Sequence, residues 1–164
     1  MRLLICSAGN EKYALDCSGI REVIPHVGLK PTLNSVPFVV GLLDYHKSLI
    51  PIIDLNWIIS GTVSRPRHST RIILADWEHG GRTILLGIIS EGVTETLKCS
   101  ESDIQTPLNE FESGQCPTSV IYTEEGSIQL FNINSLLQNI NSADLLQLKG
   151  EALRHTRQFN PCSF

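Results

Sequence analysis

The chain has 164 residues, of which 41% are hydrophobic and 18% are charged, a composition typical of a soluble globular protein. Its net charge of −4 argues against a nucleic-acid-binding protein. No apolar run approaches the length that a bilayer requires, and 1–6 is too short for a signal sequence, so we expect no membrane insertion. The five cysteines are widely spaced without a Cys-x-x-Cys pair, which predicts neither a disulfide framework nor a zinc site and favours the cytoplasm.

The first part of the chain reads as closely spaced short strands. They are predicted at 2–7, 12–17, 20–24, 38–43 and 48–53, separated by turn-forming residues. Five short strands favour a small barrel. Pro51 lies in the fifth strand, and since proline has no amide hydrogen to donate, we expect this strand at a sheet edge or at a bulge. Asp54 or Asn56 is then predicted to cap a short helix that begins near Leu55.

A polar, weakly basic segment, 60–69, is predicted to connect the two halves. The basic side chains in and beside it are Arg65, Arg67, His68 and Arg71. Because the aromatic platforms of a nucleic-acid site are missing, we interpret the segment as a solvated connection and expect no nucleic-acid partner. Strands are then predicted at 70–77, 83–89, 93–97, 119–123 and 128–131. A C-terminal helix and a frayed tail are predicted over 141–164.

Two stretches of the first half recur in the second half. Residues 50–59 match 128–137 at an offset of 78, with six positions apolar in both copies and two that are Asp/Asn or Asn/Asn. Residues 14–22 match 87–95 at an offset of 73, and both copies end in Gly-apolar-polar-Glu. Because the two matches keep their order along the chain, we infer one architecture used twice.

The sequence offers no catalytic motif. A cysteine enzyme needs a base positioned beside its thiol. The candidate thiols are Cys99 and Cys116 and the candidate bases are His26, His46 and His79, but no local signature supports any pairing. The histidines also lack the spacing of metal ligands, and no phosphate-loop motif is present. We therefore predict that the protein is not an enzyme and needs neither a metal nor a cofactor.

Three motifs together resemble one protein family. They lie at 41–43 with 49–55 (Gly-Leu-Leu, then Leu-Ile-Pro-Ile-Ile-Asp-Leu), at 12–15 with 19–23 (Lys-Tyr-Ala-Leu, then Gly-Ile-Arg-Glu-Val), and at 87–95 (Gly-Ile-Ile-Ser-Glu-Gly-Val-Thr-Glu). In this order they are similar to the signature of CheW-like proteins, the adaptors of bacterial chemotaxis arrays. The resemblance extends over about residues 3–140.

The resemblance implies a mainly β fold of two intertwined five-stranded SH3-like β-barrels with short helices. It implies a single CheW-like domain over 1–140, with one subdomain over about 1–64, a second over about 65–133 and some strand exchange. It also implies a non-catalytic adaptor that couples the regulatory domain of a CheA-type histidine kinase to the cytoplasmic tips of methyl-accepting receptors. Other CheW-like domains are further possible partners.

The resemblance also indicates partner-binding residues by motif position. Those expected in or beside partner contacts are Val39, Gly41, Leu43, His46, Leu49 and Pro51, and those expected to line the groove between the barrels are Ile20 and Glu22. Where the family usually has Asn-hydrophobic-Arg-Gly, this chain has Asp-Tyr-His-Lys at 44–47. An alternative is therefore a scaffold of a pilus-type or other chemosensory pathway that binds the kinase or other CheW-like domains but not receptors.

Overall fold

The computed structural model describes residues 1–33, 36–106 and 119–138, and these residues form a mainly β structure. The strands are β1 (Arg2–Ala8), β2 (Glu11–Asp16), β3 (Ile20–Pro25), β4 (Val39–Tyr45), β5 (Ser48–Asp54), β6 (Arg71–His79), β7 (Arg82–Lys98), β8 (Ile104–Gln105), β9 (Ser119–Thr123) and β10 (Gly126–Phe131). The helices are α1 (Leu55–Ser60), α2 (Ile133–Gln138) and a 3-10 turn at Glu101–Asp103. The predicted β class with short helices is confirmed, and the predicted helix and tail at 141–164 lie outside the described residues.

One strand replaces two predicted ones. The sequence predicts strands at 83–89 and 93–97, but β7 runs through both, because Gly92 adopts a φ of 58° and bends the strand without ending it. Up to Ser90, β7 pairs with β6, and from Glu91 onward it pairs with β1. The bend therefore lets a single strand belong to two sheets.

The strands form two sheets that share β7. Sheet I has the order β3-β6-β7-β5-β4, and sheet II has the order β7-β1-β2-β10-β9-β8. A core of buried residues from both sheets, including Leu15, Ile53 and Ile88, lies between them. Each sheet also has a smaller apolar cluster of its own.

The two copies of the repeat are interlocked through parallel strand pairs. The β5 residue Ile52 lies opposite Gly87 of β7, and the β10 residue Leu130 lies opposite Ala14 of β2. These two pairs are related by the same offsets of 78 and 73 that relate the sequence matches. The last strand of each copy thus pairs with the second strand of the other copy, so neither sheet is built from one half of the chain alone. The division near residue 64 into two subdomains stays a prediction.

Each sheet has its two ends joined by a short backbone pairing. In sheet I, Lys30, just beyond β3, exchanges two backbone hydrogen bonds of 2.8 Å with Leu42 of β4. In sheet II, Gln105 of β8, just beyond β7, pairs with Val120 of β9 at the equivalent place. We call these two junctions seam I and seam II. Their closure is compatible with the predicted pair of small barrels.

Of the two places predicted for the strand containing Pro51, the sheet edge is wrong, whereas a register irregularity does occur in its pairing with β4, between Val39 and Gly41. β5 lies between β4 and β7, and Pro51 is buried. The proline is tolerated there because neither neighbouring strand needs its missing amide hydrogen. Leu42, which lies opposite Pro51 on β4, exchanges its backbone hydrogen bonds with Lys30, and the pairing of β5 with β7 begins only at the next residue, Ile52. Of the two predicted caps of α1, the structure selects Asp54, whose carboxylate accepts a hydrogen bond of 3.1 Å from the Trp57 amide.

Candidate partner-binding surface

The hairpin between β4 and β5 projects a turn of two residues with left-handed backbone. His46 has a φ of 49° and Lys47 a φ of 65°, and Tyr45 and Ser48 on either side are paired. Hairpin turns with two positive φ angles favour Asn-Gly, because other side chains pay a steric cost in this conformation. This chain retains the turn geometry without the glycine. The hairpin tip therefore exposes an imidazole and an ammonium group.

Replacing Lys47 with glycine is expected to stabilise the protein by about 1 kcal/mol, because glycine adopts a positive φ without steric cost. Lys47→Ala is the matched control, since it also removes the charge but retains a Cβ, and we expect no comparable gain. Urea unfolding of the three proteins measures the difference. Equal stabilisation by both substitutions would mean that charge, rather than backbone strain, sets the stability of this turn.

Tyr45 fastens the hairpin across seam I. Its hydroxyl donates a hydrogen bond of 2.6 Å to the Glu22 carboxylate on β3, and this bond raises the pKa of Tyr45 above its ordinary value. The ring also meets the His46 imidazole edge-on, with 4.2 Å between centroids. An ion pair of 3.2 Å between Lys30 and Asp44 spans the same seam. The exposed rim formed by Glu22, Tyr45 and His46 is therefore held on the sheet by side-chain bonds, and we call it the hairpin rim.

The eight residues predicted to bind partners divide by exposure. Glu22 and His46 are exposed, Ile20 and Leu49 are partly buried, and Val39, Gly41, Leu43 and Pro51 are buried. The buried four can shape a surface but present little side chain to a partner. Gly41 has a structural reason of its own, since an added Cβ would lie 2.8 Å from both the Leu29 Cβ and the Lys30 carbonyl oxygen.

The structure brings two of the predicted residues together around a third side chain. Glu22 and His46 both contact Tyr45, which sequence reasoning noted only as a departure from the family pattern. Its position directly before a two-residue turn was the signal that could have identified it. Ile20, two residues before Glu22 on β3, packs against the core between the two sheets.

The described cysteines have the properties of structural thiols. Burial raises the pKa of Cys6 to about 11 and also raises the pKa of Cys99, whereas a nucleophile needs a lowered thiol pKa. The Cys99 thiol donates to the Ser100 carbonyl at 3.3 Å, and no imidazole contact is found for it among the described residues. Cys116 lies outside them. Over the same part of the chain, no group of three His, Cys, Asp or Glu side chains is placed to hold a metal.

The basic connection between the halves is ordered by its own hydrogen bonds. The Thr70 hydroxyl donates to the Arg65 carbonyl at 2.6 Å and accepts from the Arg67 amide at 3.0 Å, and Thr70 is buried. The Arg71 guanidinium donates hydrogen bonds to the backbone carbonyls of His68 and Thr70. The side chains of Arg65, Arg67 and His68 remain exposed, which agrees with a solvated connection.

Comparison with known proteins decides the family. A model of the CheW-like domain matches residues 2–141, most of the chain. The chain belongs to the CheW-like domain family. The family consists of non-catalytic scaffold and adaptor proteins, in agreement with the prediction that this chain is not an enzyme.

This CheW-like domain resembles one known protein in sequence and another in fold. It is 25% identical to the chemotaxis protein CheW of Treponema pallidum (strain Nichols) over 114 residues, which cover 65% of this chain and 62% of that protein. Its fold is similar to the crystal structure of the scaffolding protein TtCheW from Thermoanaerobacter tengcongensis, with a TM-score of 0.70, 21% identity, and coverage of 88% of this chain and 92% of that one. Among the described residues, no helix has the length and apolarity needed to cross a membrane.

Proposed function

We propose that this CheW-like domain is a cytoplasmic, non-catalytic adaptor of bacterial chemosensory signalling. In this role it couples the regulatory domain of a CheA-type histidine kinase to the cytoplasmic tips of methyl-accepting receptors. The observation that carries the proposal is the match of the family model to residues 2–141. The proposed partners come from the family resemblance of the three sequence motifs.

The architecture suits an adaptor because it makes one rigid body. The reciprocal pairs Ile52–Gly87 and Leu130–Ala14 tie each half of the chain into the sheet of the other. Two surfaces on such a body keep a fixed separation. Two individually weak docking contacts then act together, because binding of one partner raises the effective concentration of the other. No chemistry is required of the adaptor.

The hairpin rim is the proposed receptor-facing contact. Glu22, His46 and Leu49 are the predicted site residues with accessible side chains near the β4–β5 hairpin. The hydrogen bond from Tyr45 holds the Glu22 carboxylate in place, so a partner meets a preorganised surface. The buried residues Val39, Leu43 and Pro51 are proposed to support this surface from below.

Co-sedimentation with two purified partners tests the proposal. The partners are the kinase regulatory domain and a receptor cytoplasmic-tip fragment, added separately and together. We expect both to bind and a ternary complex to form. Binding of the kinase domain without any binding of the tip would contradict the bridging model and favour a scaffold that does not bind receptors.

Substitution at the hairpin tip locates the receptor contact. His46→Ala is expected to weaken tip binding at least fivefold and to leave kinase binding unchanged, because His46 is exposed and lies on the hairpin rim. His68→Ala is the matched control, since His68 is also exposed but lies on the basic connection. Equal effects of the two substitutions would contradict a specific role for the rim.

A further inference from the structure

An open hollow of about 460 Å³ lies at seam II, a volume typical of sites that hold a small ligand or a partner side chain. Its apolar wall comes from Ile5, Leu97, Ile121 and Ile128. Glu95 and Thr123 line it on the two strands that flank the seam. The hollow lies on the sheet that does not carry the hairpin rim.

The internal repeat shows what fills the same place at seam I. The offset of 78 relates Ile121 to Leu43 and Ile128 to Ile50, and the offset of 73 relates Leu97 to Ile24. Ile5 corresponds to Leu74, because Ile5 lies opposite Ala14, Leu74 lies opposite Gly87, and Ala14 and Gly87 are themselves related by the offset of 73. All four counterparts belong to the apolar cluster of sheet I. The two walls are therefore equivalent in position and in chemistry.

Two replacements change what packs against the apolar wall. Tyr45 and Leu85 pack against the apolar cluster of sheet I, and their counterparts at seam II are Thr123 and Lys12. The acidic residue is retained, since Glu95 corresponds to Glu22. At seam I the tyrosine ring covers the wall and its hydroxyl binds the glutamate at 2.6 Å. At seam II the short Thr123 side chain instead donates to the Gly126 carbonyl at 2.9 Å, so no ring at this position covers the wall.

The charges around the hollow favour a basic partner. Its rim carries the four carboxylates Glu95, Asp103, Glu124 and Glu125 and the two ammonium groups of Lys12 and Lys98, a net charge of −2. Lys12 already pairs with Glu125 at 2.6 Å. Tyr122, of which 64% is exposed, adds an aromatic face at the rim against which a cation can pack.

We propose that the hollow at seam II docks a protein segment that presents an aromatic side chain beside a basic one. The ring takes the place that Tyr45 occupies at seam I, and the cation neutralises the acidic rim. This site goes beyond the proposed adaptor function, because it lies apart from the hairpin rim and none of the partner-binding residues predicted for the adaptor lines it. A failure of peptide binding at seam II would leave the adaptor proposal standing, and a failure of tip binding would leave this one standing.

Titration of the full chain with three short peptides tests the site. Binding is measured by NMR from the chemical shifts of the backbone amides of Glu95, Leu97, Ile121 and Thr123. The probes are acetyl-Lys-Tyr-Lys-amide, acetyl-Glu-Tyr-Glu-amide and acetyl-Lys-Ala-Lys-amide. We expect saturable shifts in the millimolar range with the first peptide and at least tenfold weaker binding of the other two. Equal binding of all three peptides, or binding of none because the hollow is filled from within, would overturn the proposal.

Substitutions then tie the binding to the hollow. Thr123→Tyr should cover the wall as Tyr45 does at seam I and weaken binding of the Lys-Tyr-Lys peptide at least tenfold. Thr123→Val, which adds no ring, should leave binding unchanged. Glu95→Gln keeps the side-chain shape at an exposed position and should weaken the same peptide about threefold, so the proposal stays testable if Thr123→Tyr does not fold. Unchanged binding by Thr123→Tyr or by Glu95→Gln would contradict it.

Discussion

Asp54→Ala is expected to lower the free energy of unfolding by roughly 3 kcal/mol, a large effect for one side chain. The Asp54 carboxylate is 1% exposed and accepts three hydrogen bonds. The donors are the Trp57 amide at 3.1 Å and the Ser64 amide and hydroxyl, both at 2.8 Å. Alanine removes the helix cap and leaves the Ser64 donors without their acceptor. Urea unfolding at constant pH measures the loss.

The repeat supplies the control for this substitution. Asn132 occupies the matching position before α2, where its side-chain oxygen accepts a hydrogen bond of 2.7 Å from the Ser135 amide. Because Asn132 is exposed and makes a local cap only, Asn132→Ala should cost about 1 kcal/mol. Equal losses at the two positions would show that the bonds of Asp54 to Ser64 contribute nothing beyond capping.

Gly92→Ala is expected to destabilise the protein by roughly 2 to 4 kcal/mol, because a positive φ and a close contact act together. Gly92 has a φ of 58°, and an added Cβ would overlap the Ser7 side chain on β1. The strand cannot straighten without losing either its pairing with β6 or its pairing with β1. Chemical denaturation reports the change in stability.

Gly61→Ala separates the cost of the positive φ from the cost of the close contact. Gly61 has a φ of 74° but nothing lies within 4 Å of an added Cβ, so only the backbone cost remains, about 1 kcal/mol. The difference between the two variants is the cost of the contact with Ser7. If both variants lost the same stability, the overlap at the bend would be relieved at no cost, and β7 would be less constrained than the structure indicates.

Much of the fold could be predicted from local sequence pattern. Short apolar runs bounded by turn residues locate β1 to β6, β9 and β10, and they narrow the cap of α1 to Asp54 or Asn56 because a cap acts on an amide three residues away. β8 was missed because two residues carry no periodic signal. The break placed in β7 was wrong because a glycine in a strand can mark a bend as well as an end.

The candidate surface was predicted less completely, because exposure and contact are properties of distant residues. Motif position indicated Glu22 and His46, which the structure brings together around Tyr45. The same reasoning indicated Val39 and Leu43, whose side chains are buried. A motif indicates that a position requires a particular type of residue. It does not show whether an apolar residue is required there for packing in the core or for binding a partner.

The sequence by itself determined that one β architecture is used twice, since strand periodicity, helix capping and repeat offsets are all local properties. Only the tertiary structure decided which strands pair, because pairing joins residues far apart in the chain. It placed Pro51 inside a sheet, bent β7 between two sheets and interlocked the two copies. It also showed that Tyr45 covers one seam while Thr123, its counterpart at the other, leaves a hollow among the described residues, a difference that depends on side-chain size at equivalent positions in space.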